Sequence, residues 1–257
     1  MRCGIDLGSR SVKLVLVRDG NGKPEEQLAL SRIYETVAFY REFGQRTETG
    51  MAVDFPALDI GEIDSLTATG YGRQALQLAN AAVIPELKAH VLGAVWQTGL
   101  RDFTLLDLGG QDSKVIKVRK GRMVDFQTND KCAASTGRYL ENMAAVLGIN
   151  LDELAQYSDK PVELSSTCAI FGESELVGRI VEGYPLAELA AGVNHTIYRR
   201  IRPLLRDLRS DIIVFTGGVA LGPAIGDIIS REMSVQVVLP PYPQLNGAIG
   251  CAVYAGK

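Results

Sequence analysis

Two short segments contain the residues that are most able to do chemistry, because each places a cysteine before a small-residue turn and a helix-like run. Cys132 lies in "NDKCAASTGRYLENMA", residues 129–144, and Cys168 lies in "SSTCAIFGESELVGRIV", residues 165–181. Unpaired N–H groups and the dipole at a helix N-terminus stabilise negative charge, including a thiolate or an anionic cluster. Both cysteines are therefore candidates for a functional role.

The four cysteines of the chain include no CxxC motif and no pair at zinc-finger spacing. Cys3 follows an alternating strand pattern and Cys251 lies in a small-residue helix, so we expect both to be buried packing residues. For Cys132 and Cys168 three interpretations stay open: unrelated buried cysteines, a disulfide or redox switch, and metal ligands. As metal ligands, two thiolates are too few for a 4Fe–4S cluster, which takes four, but a symmetric dimer would supply the other two.

A strand–turn–strand pattern occurs twice, which indicates an internal duplication. Residues 6–13, "DLGSRSVK", match residues 107–114, "DLGGQDSK", with Asp first and Lys last in both. The duplication predicts an α/β fold with two similar lobes, each beginning with a hairpin-rich sheet and continuing into helices. We expect residues 1–95 and about 246–257 to form the N-terminal lobe. Residues 96–245 would form the C-terminal lobe, with the two candidate cysteines and a nucleoside-binding turn.

Three glycine-rich turns predict a nucleotide site: the two repeated turns and "FTGGVA", residues 215–220. Glycine lets backbone N–H groups approach phosphate oxygens with no side chain in the way. Asp6 and Asp107 suit a polyanion only if they hold Mg²⁺ through water or orient the attacking water. The absence of GxxxxGK[ST] excludes a P-loop, and "TGGVALG" lacks the context of a Rossmann fingerprint. The order of the turns instead resembles the actin, hexokinase and heat-shock ATPase superfamily, which implies a two-lobed fold with a nucleotide cleft between the lobes.

The remaining segments predict the elements that position these residues. Residues 65–99 are expected to form a short strand, a glycine turn and two helices, and residues 184–205 a long amphipathic helix. The helix after each cysteine has apolar residues at helical spacing, and these are Tyr139, Leu140, Met143, Ala144 and Leu147 in the first and Ile170, Leu176, Val177, Ile180 and Val181 in the second.

Composition excludes two classes of partner. A formal charge of −3 and an isoelectric point near 5.5 argue against nucleic acid and against a membrane surface, which both call for a basic patch. No run of 18 apolar residues occurs, and "MRCGIDLG" begins a strand pattern without a leader. We therefore expect a cytoplasmic protein.

Seven segments in order, from residue 4 to about 255, together resemble the ATP-dependent activators, or component A, of 2-hydroxyacyl-CoA dehydratases. This family also includes ATPase subunits of benzoyl-CoA reductases. The segments are "GIDLGSRSVK", "ATGYGR", "DLGGQDSKVI", "NDKCAASTGRYLENMA", "CAIFGESELV", "TGGVA" and "YPQLNGAIGCAVYA". The resemblance implies a homodimer with one 4Fe–4S cluster between the subunits, held by Cys132 and Cys168 of each, and one ATP or ADP site with Mg²⁺ in each subunit.

The resemblance also assigns roles to residues around the nucleotide. The phosphate contacts would come from Ser9, Arg10, Ser11, Val12, Lys13, Gly109 and Gly110. The nucleoside contacts would come from Gly217, Gly218, Leu221 and Gln244. The catalytic set that binds Mg²⁺ and positions water would be Asp6, Asp107, Gln111 and Asp112. The sequence departs from the family pattern at Ser135, where glycine is usual, at Leu221, where a polar residue is usual, and over residues 34–60.

The implied function is an iron–sulfur ATPase that couples ATP hydrolysis to delivery of a low-potential electron to a partner enzyme. That partner would be a 2-hydroxyacyl-CoA dehydratase, with a benzoyl-CoA reductase or another low-potential iron–sulfur reductase as the alternative. A ferredoxin or flavodoxin would refill the cluster. Two rival hypotheses are a small-molecule kinase of the same superfamily, with Asp107 as base and structural cysteines, and a non-catalytic iron–sulfur scaffold.

Overall fold

The computed structural model describes residues 1–20, 22–48, 50–73, 76–77, 81–129, 136–166 and 169–254. Contacts within the chain divide it into two compact units, which are Met1–Arg101 with Pro240–Lys257, and Asp102–Leu239. The domain boundaries expected from the sequence stay a prediction. Among the described helices, none is both long and apolar enough to cross a membrane.

The first unit combines a five-stranded sheet, a three-stranded sheet and packed helices. Its described strands are β1 (Arg2–Leu7), β2 (Ser11–Val17), β3 (Leu28–Glu35), β4 (Gly44–Thr47), β5 (Gly50–Val53), β6 (Ser65–Thr69), β7 (Leu76–Gln77) and β8 (Ala82–Val83). Its described helices are α1 (Pro24–Gln27), α2 (Thr36–Phe43), α3 (Glu86–Thr98) and, near the end of the chain, α9 (Asn246–Tyr254).

The second unit follows α3 and contains one sheet and the longer helices. Its described strands are β9 (Phe103–Leu108), β10 (Ser113–Arg119), β11 (Arg122–Asn129), β12 (Ile212–Thr216) and β13 (Gln236–Val238). Its described helices are α4 (Gly137–Leu147), α5 (Leu151–Leu154), α6 (Ala169–Val181), α7 (Leu186–Asp207) and α8 (Pro223–Met233).

The two five-stranded sheets have the same topology, as the duplicated sequence pattern predicts. The first sheet runs β3-β2-β1-β6-β8 and the second runs β11-β10-β9-β12-β13. In each, the first strand pairs antiparallel with the next strand in the chain and parallel with a strand reached through a long crossover. Both central strands carry near-continuous apolar runs because neighbours cover them on every side.

Small residues let α3 and α9 approach closely in the first unit. A Cβ added at Gly250 would lie 1.7 Å from the carbonyl oxygen of Ala89, so only glycine fits there. Cys3 on β1 and Cys251 on α9 are both fully buried, which confirms the expectation that they are packing residues.

The prediction of two helices after β6 was wrong for the described residues. Between β6 and the end of α3 they form one α-helix, α3, preceded by a single 3-10 turn at Tyr71–Arg73 and by the short strands β7 and β8. β7 pairs with β5, and β8 pairs with β6. Strand partners elsewhere in the fold therefore override the local helical pattern.

The described part of residues 34–60, which depart from the family pattern, packs against the core of the first five-stranded sheet. It contributes α2 and the hairpin β4–β5, which joins β7 in a three-stranded sheet. The ring of Phe39 packs 5.3 Å from Tyr34 and 5.4 Å from Phe43 between centroids. Aromatic contacts at this range add to the apolar burial that stabilises the segment.

Candidate nucleotide and cluster sites

The register between β1 and β2 pairs the first candidate aspartate with a lysine. Asp6 lies opposite Lys13, and the Lys13 ammonium is 3.6 Å from Asp6 Oδ2. Asp6 is only 4% exposed, yet its Oδ1 has no hydrogen-bond partner among the described residues. A buried carboxylate oxygen of this kind suits an ordered water or a hydrated Mg²⁺.

Two glycines close around the Asp6 carboxylate. A Cβ added at Gly70 would lie 2.7 Å from Asp6 Oδ1, and one added at Gly247 would lie 2.9 Å from Asp6 Oδ2. Neither glycine was among the predicted site residues, although "ATGYGR" and "LNGAIG" are segments of the family resemblance. The backbone at these positions leaves room around the carboxylate that any side chain would fill.

The repeated turn in the second unit uses the same pairing with more contacts. Asp107 lies opposite Lys114, whose ammonium is 3.7 Å from Asp107 Oδ2 and 2.5 Å from Asp112 Oδ2. The hydroxyl of Thr216 donates to Asp107 Oδ1 at 2.9 Å. The two aspartates therefore have matched lysines, but Thr216 donates to the other oxygen of Asp107, whereas that of Asp6 has no partner among the described residues.

The parallel neighbour of each central strand ends in the same way. Thr69 lies opposite Asp6, and Thr216 lies opposite Asp107. A glycine with positive φ follows each threonine: Gly70 at 96° and Gly217 at 92°. The sequence pattern predicted a glycine turn after both threonines, but it assigned a nucleotide contact only to the turn after Thr216.

The second repeated turn, which the sequence predicts to contact phosphates, is hydrogen-bonded to the start of α4. The N–H of Gly137 donates to the Gly109 carbonyl at 2.9 Å, and the N–H of Arg138 donates to the Gly110 carbonyl at 3.0 Å. A Cβ added at Gly137 would lie 3.3 Å from the Gly109 oxygen, so this contact favours glycine. The segment 130–135, with Cys132, leads directly into this helix.

These turns carry the glycine pattern and the Asp–Lys pairs of an ATPase, and a family comparison agrees. A profile of the BadF/BadG/BcrA/BcrD ATPase family matches residues 3–255. The chain belongs to that family.

Named members of this ATPase family align along nearly the whole chain. The (R)-2-hydroxyglutaryl-CoA dehydratase activating ATPase of Acidaminococcus fermentans is 34% identical, over 99% of this chain and 96% of its own length. A benzoyl-CoA reductase component of Thauera aromatica is 28% identical, over 98% and 91%. The solved structure of the 2-hydroxyisocaproyl-CoA dehydratase activator from Clostridium difficile, with bound ADPNP, superimposes with a TM-score of 0.83 at 30% identity, over 99% and 93%. The two-lobed, actin-like ATPase fold is confirmed.

The other predicted nucleotide contacts lie in both units. Ser9 and Arg10 are exposed in the first turn, whereas the side chain of Val12 is buried in the core and leaves only its backbone to a phosphate. The half-buried residues of this set are Ser11, Gly109, Gly110, Gln111 and Gln244. Gln244 lies in the first unit, and the turn with Gly217, Gly218 and Leu221 lies in the second.

Cys132 and Cys168 lie outside the described residues, whereas the other two cysteines are buried in the first unit. Burial raises the pKa of Cys3 to about 12, and burial first, then the charge of Asp6, raises the pKa of Cys251 well above its usual value. Both therefore behave as neutral packing thiols in the metal-free chain. Cys132 and Cys168 stay the candidate sulfur ligands of a cluster.

The helices after the two cysteines differ in exposure. The predicted face of α4 is confirmed at Tyr139, Leu140, Met143 and Ala144, which are buried. In α6, by contrast, Leu176 is buried, whereas Val177, Ile180 and Val181 are exposed. The helical spacing predicted where apolar residues lie on each helix. It did not show which of them pack against other residues of the same chain.

The described carboxylates fit Mg²⁺ better than a metal held by protein alone. Among the residues that the structure describes, no group of three or more His, Cys, Asp or Glu side chains could hold a metal ion. Mg²⁺ usually takes one or two carboxylates, several waters and the phosphates of its nucleotide. The buried carboxylate of Asp6, with its unpartnered Oδ1 among the described residues, suits such a role.

Proposed function

We propose that this chain is an iron–sulfur ATPase that couples ATP hydrolysis to delivery of a low-potential electron to a partner enzyme, a 2-hydroxyacyl-CoA dehydratase. Three relatives that align with this chain over nearly their full lengths are named as dehydratase activators. The observation that carries the proposal is the pair of hydrogen bonds from Gly137 and Arg138 to the phosphate turn. If the turn binds ATP, these bonds would connect the nucleotide to the helix that follows Cys132 in the sequence.

ATP would bind through the two Asp–Lys turns. The backbone of residues 9–13 and of Gly109 and Gly110 would contact phosphates, with Gly217, Gly218, Leu221 and Gln244 at the nucleoside. Asp6 would hold Mg²⁺ through water, because its Oδ1 is unpartnered among the described residues. Asp107, with Gln111 and Asp112, would orient the attacking water.

The state of the phosphates would reach the helix after Cys132 through the second turn. Loss of the γ-phosphate would change what the N–H group of Gly110 contacts, whereas the N–H of Gly109 donates to the Asp112 carbonyl at 3.0 Å within the turn. The carbonyls of Gly109 and Gly110 hold the start of α4. Such coupling requires that ATP and ADP bind the two states of the chain with different affinities.

Cys132 and Cys168 of two chains would together supply the four thiolates of one 4Fe–4S cluster in a homodimer. The cluster, when bound, supplies the low-potential electron. A ferredoxin or flavodoxin in the cytoplasm would then reduce the oxidised cluster again. The exposed apolar residues of α6, which begins just after Cys168, support an interface there: Phe171 is 70% exposed and Val181 is 82% exposed.

The relation to a benzoyl-CoA reductase component supports a second candidate partner, a reductase of that kind. In both cases this chain would hydrolyse ATP in the same way, and only the enzyme that receives the electron would differ.

An electron-delivery assay tests the proposal. The chain is reduced without oxygen, freed of excess reductant, and mixed with a 2-hydroxyacyl-CoA dehydratase or with a benzoyl-CoA reductase, in ATP or in ADP. We expect ATP-dependent oxidation of the chain and activation of the dehydratase. Cys132→Ser should abolish both while ATP binding persists. ATP-dependent phosphorylation of a small-molecule acceptor that survives Cys132→Ser would replace this function with a kinase.

A further inference from the structure

A carboxylate holds the backbone just before Cys168. Glu175 of α6 accepts hydrogen bonds from the N–H and hydroxyl of Ser165, at 2.8 and 2.9 Å, and from the N–H of Ser166 at 2.9 Å. Partial burial raises the pKa of Glu175, but these hydrogen bonds outweigh it and lower the pKa to about 2. The carboxylate is therefore ionised at neutral pH and accepts strongly.

Two arginines of α7 hold the carbonyl groups of the same segment. Arg199 donates to the Leu164 carbonyl at 2.6 Å, and Arg200 donates to the Ser166 carbonyl at 2.8 Å. Residues 164–166 belong to no helix or strand. Side chains from two helices, rather than a regular ladder, thus fix this backbone.

Arg200 has a second contact that reaches the other cysteine-bearing segment. Its guanidinium carbon lies 4.7 Å from the ring centre of Tyr139, which is 1% exposed and belongs to α4. A cation over a buried aromatic face is attracted by the ring quadrupole. Through Arg200, the backbone before Cys168 is joined to the helix that follows Cys132.

We propose that Glu175 and Arg200 are positioning residues that set the geometry of Cys132 and Cys168 as ligands of one metal centre. The proposal rests on the proposed function, in which these cysteines hold the cluster. Ser166, whose backbone is held by Glu175 and Arg200, precedes Cys168 by two residues in the sequence. Outer contacts of this kind orient metal ligands and restrict their motion.

Two charge- or size-preserving variants test the proposal in the iron-loaded protein. Glu175→Gln places an amide nitrogen where one oxygen accepts, so it cannot accept all three hydrogen bonds. Arg200→Lys keeps the positive charge but loses the planar group that both donates to Ser166 and stacks on Tyr139. In both we expect iron to be lost to a chelator about 10-fold faster or more. The paramagnetic resonance spectrum of the reduced protein should change in shape.

A matched control separates positioning from charge. Glu173→Gln removes a carboxylate from an exposed position on the same helix, two residues earlier. It should lose iron at the wild-type rate. Ser165→Ala removes only one of the three bonds to Glu175 and should give an intermediate rate, which keeps the test valid if the larger changes impair folding.

Each outcome decides something. Wild-type iron retention and an unchanged spectrum in Glu175→Gln, Arg200→Lys and Ser165→Ala would overturn the positioning role and leave the proposed function intact. Equal acceleration in Glu173→Gln would show a general effect of charge and also overturn it. Failure of the wild-type chain to hold iron after reconstitution would overturn the proposed function itself, and the positioning role with it.

Discussion

The buried carboxylates of Asp6 and Asp107 each face a lysine through Oδ2, but they differ in the hydrogen bonding of Oδ1. Thr216 donates to Asp107, whereas the equivalent hydroxyl of Thr69 donates to the carbonyl of Ile84 at 2.9 Å. Asp6 Oδ1 is left without a partner among the described residues. This difference supports the proposed division of roles, in which Asp6 would hold Mg²⁺ through water and Asp107 would be kept in one orientation by Thr216.

Removal of the two threonine hydroxyls tests that difference. Thr216→Val breaks a buried hydrogen bond to a charged group and should lower the free energy of unfolding by about 1.5–3 kcal/mol. Thr69→Val breaks a bond to a neutral carbonyl and should cost about 0.5–1.5 kcal/mol. Only Thr216→Val should reduce kcat for ATP hydrolysis, because only it releases Asp107. Urea unfolding and ATPase assays measure both quantities, and equal losses of kcat would contradict the assignment.

At the residue scale, the sequence predicted the Asp–Lys pairs but not their surroundings. The seven-residue spacing fits a two-stranded hairpin, so the pairing followed from local geometry. The contacts of Thr69, Thr216, Gly70 and Gly247 depend on strands and helices distant in the chain. A single sequence has no local signal for them.

The turn after β12 requires glycine at position 217. Gly217 has a φ of 92° and a ψ of 175°, and a Cβ there would lie 2.2 Å from the carbonyl oxygen of Leu108 on β9. This backbone region is essentially limited to glycine. The close approach also fixes the spacing of β9 and β12 at the predicted nucleoside turn.

A pair of alanine variants separates backbone strain from the close contact. Gly99 ends α3 with a φ of 70°, and a Cβ there would meet no atom within 4 Å. Gly99→Ala should therefore lower the free energy of unfolding by about 1–2 kcal/mol and leave ATP binding unchanged. Gly217→Ala should cost more and should also weaken ATP binding, because β9 and β12 must move apart. Calorimetric titration with ATP and urea unfolding test this. Equal effects of the two variants on ATP affinity would contradict it.

The sequence predicted elements well where a periodic apolar pattern continues over many residues. It failed where a short strand pairs with a strand distant in the chain. The long helix expected over residues 184–205 is α7, Leu186–Asp207. Of the two helices expected after β6, the second is α3, and the first is replaced, among the described residues, by the strands β7 and β8. Those strands are too short for a periodic signal, and their partners lie elsewhere in the first unit.

At the scale of the whole molecule, the chain repeats one sheet topology in its two units and divides its four cysteines between them. The two sheets share one topology, and each carries one Asp–Lys turn. The first unit buries Cys3 and Cys251 as neutral thiols, while Cys132 and Cys168 belong to the second by sequence position. The matched motifs made the duplication predictable, but the burial that separates the cysteines depends on packing.

Thiol labelling of the iron-free protein tests this division. With a pKa of about 12, Cys3 would be thiolate in only about one molecule in ten thousand at pH 8, since a raised pKa keeps the neutral form. A maleimide should therefore label Cys132 and Cys168 in the native chain, and all four cysteines only in guanidinium. Mass spectrometry of the labelled peptides locates the sites. Rapid native labelling of Cys3 or Cys251 would contradict the buried assignment.

The iron and acid-labile sulfide content of the chain, purified without oxygen, tests the bridging cluster most directly when measured with the mass in solution. We expect about four iron and four sulfide per dimer, both lost in Cys132→Ser and in Cys168→Ser. A monomer without iron after reconstitution, with ATP hydrolysis intact in both variants, would contradict an iron–sulfur ATPase and leave the cysteines without a role in electron transfer.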